Sequence, residues 1–191
     1  WLGQGVDNLV SPSFYVTVHL AYLWVLVSAL VVIFVYDLKH FLIPDKILFP
    51  VISLTLLWRA FEQLEFGISN LFRISNFEFW ISLPLVQSIA AGIGASLFFF
   101  AIYVLSKGKA MGFGDVKLAL FMGLFLGFPA ILVALAVAFT VGALVGLAFI
   151  VLGKKTMRSE VPFGPFLVAG TLAALFWEGQ IVDLYLRLLI V

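Results

Sequence analysis

The chain has 191 residues, of which 64% are hydrophobic and 11% charged, and its mean hydropathy is +1.20. An ordinary soluble domain is about 45–50% apolar and about 25% charged, so this composition excludes a water-soluble enzyme and a disordered chain alike. The net charge of +1 carries no basic stripe for nucleic acid. Zero cysteines exclude disulfides, thiolate metal sites and cysteine nucleophiles, and two histidines, His19 and His40, argue against a histidine-rich metal cage. The sequence predicts an all-α, polytopic membrane helix bundle forming a single membrane-embedded domain over residues 1–191. Its start at Trp1, without a basic signal-peptide region, reads as a mature or truncated segment.

A helix crossing the hydrocarbon core needs about 20 apolar residues. In chain order, 16–36, 84–105 and 130–152 meet that length. The stretch 161–177 is shorter, and 47–61 and 116–128 are marginal. The 116–128 run ends at Gly127-Phe128-Pro129, which predicts a tight break before the next helix. A more polar connection between residues 61 and 84 carries Glu62, Glu65, Arg73 and Glu78.

Charge sorting favours about six spans. Six place Lys39, Lys46, Lys107, Lys109, Lys117, Lys154, Lys155 and Arg158 on one side, against Arg59, Arg73 and Arg187 on the other. Leaving 116–128 uncrossed turns that 8:3 split into 5:6. The positive-inside rule selects the first arrangement, puts the basic loops in the cytoplasm and leaves both chain ends outside. Gly142/Gly146, Gly123/Gly127 and Ala91/Ala95 supply small-residue spacings for close helix contact.

Ionisable groups at membrane spans are functional candidates by default. The acids on the basic-loop side are Asp37, Asp45, Asp115 and Glu160. Asp37 ends the first long apolar run, and Asp115 stands where the fourth span begins. The topology, drawn from Lys and Arg alone, brings both to one face. Two neighbouring carboxylates share a proton, so one can take a proton from water while the other donates to a carbonyl or leaving amide. Gly112 and Gly114 leave room for a substrate strand beside Asp115. Capping by the helix dipole accounts for an acid at Asp115 but not for one at the end of the first span. At this level a reactive pair and ordinary capping residues both stay open.

The stretch Gly112-Phe113-Gly114-Asp115 resembles the Gly-x-Gly-Asp motif of intramembrane aspartyl proteases. The segment Asp37-Leu38-Lys39-His40-Phe41-Leu42-Ile43-Pro44-Asp45 is similar to the first-aspartate motif of bacterial type IV prepilin peptidases, and Pro162-Phe163-Gly164-Pro165-Phe166 to their later membrane-entry signature. The order and spacing of all three match across nearly the whole chain. The resemblance implies an aspartic endopeptidase of the bacterial inner membrane that removes the basic leader from prepilins and pseudopilins at the cytoplasmic face, cutting after a Gly. It makes Asp37 and Asp115 the catalytic pair, prefers Asp37 to its rival Asp45, and implies neither metal nor organic cofactor. Gly112, Gly114, Asp45, Lys117, Pro162 and Gly164 are the expected substrate-binding and site-shaping positions, with prepilins, pseudopilins and membrane lipid as partners and nucleic acid excluded.

Longer bacterial members carry paired cysteines and further spans ahead of this region, and they methylate the new N-terminus with S-adenosylmethionine. A chain without cysteine reads as a peptidase-only form, or as part of a parent that methylates its product. A presenilin-like protease shares Tyr36-Asp37 and Gly-x-Gly-Asp, but the late Pro-Ala-Leu motif is missing. A small transporter relaying protons or cations through Asp37 and Asp115 is the alternative from a different class. Among lesser candidates, Lys117 reads as tuning Asp115 or meeting lipid headgroups, His40 as a solvated loop residue, His19 as interfacial, and Glu160 as an exposed partner of Arg158 or Lys155.

Overall fold

The computed structural model describes residues 12–69, 84–109, 111–152 and 162–189. Among these residues six helices follow one another: α1 (Pro12–His40), α2 (Asp45–Ser69), α3 (Pro84–Leu105), α4 (Phe113–Leu126), α5 (Ala130–Val151) and α6 (Gly164–Leu189). No strand occurs among the described residues. The protein is a helical membrane bundle. Four helices are long and apolar enough to cross a bilayer on their own, over Phe14–His40, Asp45–Leu64, Pro84–Leu105 and Ala130–Val151. Glu160, with Lys154, Lys155 and Arg158, lies outside the described residues, as do Glu78 and Arg73 of the 61–84 connection.

The predicted spans correspond to the six helices, but α4 and the apolar part of α6 (Gly164–Trp177) are short, with 14 residues in α4. At 1.5 Å per residue α4 reaches only about 21 Å, less than the roughly 30 Å of a hydrocarbon core. It sits at the centre of the bundle, touching α2, α3, α5 and α6, and Val116, Leu118, Ala119, Phe121, Met122, Leu124 and Phe125 are all buried. A helix enclosed by protein escapes the length demanded of one facing lipid.

The C-terminal end of α4 shows how that shortness is tolerated. Gly127 adopts a left-handed φ of 73°, its N–H closes onto Gly123 O at 2.9 Å, and α5 begins at Ala130, so the break falls where Gly127-Phe128-Pro129 predicts it. The last carbonyls of a helix lack intrahelical donors, and in an apolar setting each must find one. Arg59 of α2 supplies them: Nε donates to Leu124 O at 3.3 Å and Nη2 to Phe125 O. Its charge is balanced by Glu62, one turn on, at 2.7 Å. Glu62 also accepts from Trp58 Nε1 at 2.7 Å.

Small residues let the helices approach. A Cβ on Gly123 of α4 would lie 2.5 Å from Ala91 O and from the Gly92 backbone of α3, and one on Gly170 of α6 would collide with Ala134 O of α5. Lipid offers no hydrophobic drive for such pairing, so dispersion between close backbones carries it. Gly142 serves differently, lying under the Phe163 and Phe166 rings, which a Cβ there would meet at 3.4 Å, while Gly146 faces open space. Gly123→Val is therefore expected to force α3 from α4 and to destabilise the bundle by about 1–3 kcal/mol. Thermal unfolding in detergent would read this as a lowered Tm, whereas Gly146→Val should leave Tm near that of the parent.

Candidate active site

Helix directions gather Asp37, Asp45, Asp115 and Gly164 at one end of the bundle, since α1 ends there and α2, α4 and α6 begin there. Asp37 is 5% exposed and Asp115 7%. Both acids that the sequence singles out are thus withdrawn from solvent at the same end, and a buried carboxylate needs donors.

Asp37 stands one turn from the end of α1. The chain turns away at Phe41, whose φ is 54° and whose N–H closes onto Asp37 O at 2.9 Å. Its carboxylate accepts from the backbone N–H of Gly164, the first residue of α6. That N–H is one of the orphan donors at a helix start, where the dipole also favours negative charge. Any side chain at 164 would collide with Asp37 Oδ2, so the Gly in Pro162-Phe163-Gly164-Pro165 is a condition of the approach. Phe163 anchors the segment against Phe139 and Phe99, with ring centroids 5.2 and 6.1 Å away.

Asp115 lies in the first turn of α4, one residue ahead of the apolar run 116–128. Gly112 occupies the N-cap at φ −77°, ψ 156°, and its N–H donates to Asp115 Oδ2 at 3.2 Å. Burial, and next the facing Asp37 charge, push the Asp115 carboxyl up from 3.8 to about 7, against the opposing effect of the Gly112 hydrogen bond. The two acids therefore interact across the gap between α1 and α4.

The surrounding positions divide. Gly114 lies against Ile43, to which a Cβ would come within 3.1 Å, so its smallness admits the α1–α2 connection rather than leaving a gap there; a Cβ on Gly112 would meet Asp115 Oδ2 and Gly114 N at an unstrained 3.9 Å. Lys117 does not reach Asp115. Residues two apart point to different sides of a helix, and the Lys117 ammonium lies 2.7 and 2.8 Å from the two carboxylate oxygens of Asp45. Pro162 precedes α6 and is half-buried. His40 is exposed, with Nδ1 3.2 Å from Tyr36 O and its ring stacked on Tyr36 at 4.3 Å. Among the described residues no three His, Asp or Glu side chains converge as metal ligands.

A second polar cluster, which sequence reasoning missed, lies at the opposite end. A cavity of about 360 Å³ opens there between His19, Tyr22, Trp58, Arg59, Phe125 and Leu175. His19, expected at the interface, packs among Tyr15, Tyr22 and Trp58, with centroids 5.3–6.1 Å away. The available signal was the Arg59/Glu62 pair, two charges three residues apart inside an otherwise apolar segment.

Residues 24–147, well over half of the chain, match the model of the type IV leader peptidase family. The chain belongs to this family. Similar curated relatives include the prepilin leader peptidase/N-methyltransferase of Legionella pneumophila, 30% identical over 166 residues (86% of this chain, 51% of the relative). Those of Aeromonas hydrophila and Bacillus subtilis are 29% identical over 187 residues (97% and 58%) and 25% identical over 164 residues (86% and 58%). The chain therefore spans about half to three-fifths of the length of these relatives. No solved structure matches it significantly.

The raised Asp115 carboxyl has a consequence for stability. The folded protein keeps a proton on Asp115 up to about pH 7, whereas the unfolded chain releases it near 3.8. Stability from this group is therefore intact below pH 3.8 and falls as pH rises toward 7, because the native state binds the extra proton. Asp115→Asn removes that dependence. Its Tm relative to the parent should rise between pH 4.5 and pH 8 in detergent; a difference that does not vary with pH contradicts the assignment.

Proposed function

We propose that this chain is the cleavage module of a type IV leader peptidase, an aspartic endopeptidase of the bacterial cytoplasmic membrane. It removes the basic leader of prepilins and pseudopilins after a Gly, at the cytoplasmic rim. The observation that carries this reading is the pair of buried, interacting carboxylates at one end of the bundle, each on a backbone N–H at a helix start. Lys39, Lys46, Lys107, Lys109 and Lys117 belong to the same end of the bundle, which by the positive-inside rule supports a cytoplasmic orientation. The relatives' names add methyl transfer; for this chain we carry over the cleavage alone.

In this mechanism the two acids divide the work. Asp115, the acid that keeps its proton to about pH 7, donates to the carbonyl oxygen of the scissile peptide. Asp37, whose carboxylate accepts from the Gly164 N–H, serves as the base and takes a proton from a water molecule as its oxygen attacks the carbonyl carbon. A tetrahedral diol results. Its collapse breaks the C–N bond, with Asp37 returning its proton to the departing amine and Asp115 recovering its own from the diol hydroxyl. A pilin's apolar helix would lie in the bilayer against the exposed Leu38, Phe41, Leu42 and Phe113, leaving the leader junction at the rim.

The test is cleavage of a prepilin in detergent by this chain and its variants. Asp37→Asn and Asp115→Asn should each lower kcat by about 10²–10⁴-fold, the usual worth of a general acid or base. Full activity in either ends the aspartic reading, and acid-dependent ion flux in liposomes without cleavage would point to transport instead. Because the donor must be protonated, kcat/KM should fall as pH rises through about 7, and Asp115→Asn should lack that limb. A rate that climbs steadily from pH 6 to 9 assigns the donor elsewhere.

A further inference from the structure

The two segments that bear the acids are stitched together twice, and only one stitch is apolar. Ile43, six residues past Asp37, packs on Gly114, next to Asp115. Two residues past Ile43 and three past Gly114, Asp45 at the start of α2 pairs with Lys117 of α4. The Lys117 ammonium also lies over the Phe113 and Phe49 rings, 5.4 and 5.5 Å from their centroids, one ring from each helix. Three groups from two helices thus fix a single charge near Asp37 and Asp115, without that charge touching either one.

An ion pair of this kind contributes little to stability. Lys117 and Asp45 are 26% and 51% exposed, and such pairs are worth about 0–1 kcal/mol. Geometry is another matter, since a displacement of about 1 Å from reacting position can reduce turnover about 10²-fold. We infer that the Lys117–Asp45 pair is a positioning element, holding the first turn of α4 against the α1–α2 connection so that Asp115 faces Asp37 at working distance. This rests on the peptidase reading and assigns Asp45 and Lys117 roles distinct from catalysis: neither touches the substrate, and both act through Asp115.

The experiment uses the full chain in detergent with a prepilin substrate. Asp45→Asn and Lys117→Gln should each lower kcat about 10-fold or more, leave KM within about twofold and move Tm little. Asp45→Glu should retain most of the rate. The double exchange Asp45→Lys with Lys117→Asp should recover activity beyond that of the better single reversal. Parent-like kcat in the neutral variants overturns the inference, as does a loss confined to KM, which would make Lys117 a substrate contact, or a loss that follows a falling Tm.

A second measurement is independent of cleavage. The chain has no cysteine, so spin labels at Leu42→Cys and Met111→Cys report the spacing of the two segments. Asp45→Asn should broaden or lengthen that distance distribution, and an unchanged distribution overturns the tie. If the parent chain cuts no prepilin, the peptidase reading fails while the distances still judge the tie.

Discussion

A carboxylate inside an apolar bundle must be met by donors, and here the donors are backbone amides at helix starts. Gly164 N–H serves Asp37, and Gly112 N–H serves Asp115. Four N–H groups at every helix start have no partner within the helix, so the bundle uses an unavoidable deficit of its secondary structure to hold two otherwise costly charges. Among the described residues neither acid forms an ion pair with a cation, which would favour the ionised form of both. Burial, and next the facing Asp37 charge, instead leave a proton on Asp115 into the neutral range. The start of α6 must then meet the end of α1, and position 164 can carry no side chain.

The short central α4 belongs to the same design. Ending inside the bundle leaves carbonyls exposed at its far end, and Arg59 answers them with its charge offset by Glu62. The bundle therefore has two chemically distinct ends. At one, Asp37 and Asp115 are met by neutral backbone donors; at the other, the charges of Arg59 and Glu62 neutralise each other and close a helix. An Arg counted as a topology marker in the sequence turns out to be a cap.

Much of this is legible in the residues alone. The helix order, the break at Gly127-Phe128-Pro129 and the convergence of Asp37 and Asp115 at one end follow from hydropathy and the alternation of crossings. Three readings stop short. Gly114 looks like a gap beside Asp115 and is filled by Ile43. Lys117 looks like a headgroup contact or a modulator of its near neighbour and pairs 72 residues away with Asp45. His19 looks interfacial, and its packing on Tyr15 and Trp58 is not visible in the sequence. Each concerns a contact between helices, and spacing along one helix says which face a residue takes but not what that face meets.

From the sequence by itself came the solvent this chain requires, the order of the described helices, and the end of the bundle to which each acid belongs. Burial of apolar length and the placement of lysines decide those matters through local composition. Only the tertiary structure decided which amide meets which carboxylate, what occupies the space beside each glycine, and where Lys117 and Arg59 spend their charge. Those outcomes depend on backbones approaching within a few ångströms across the bundle, a distance set by every small residue between them at once.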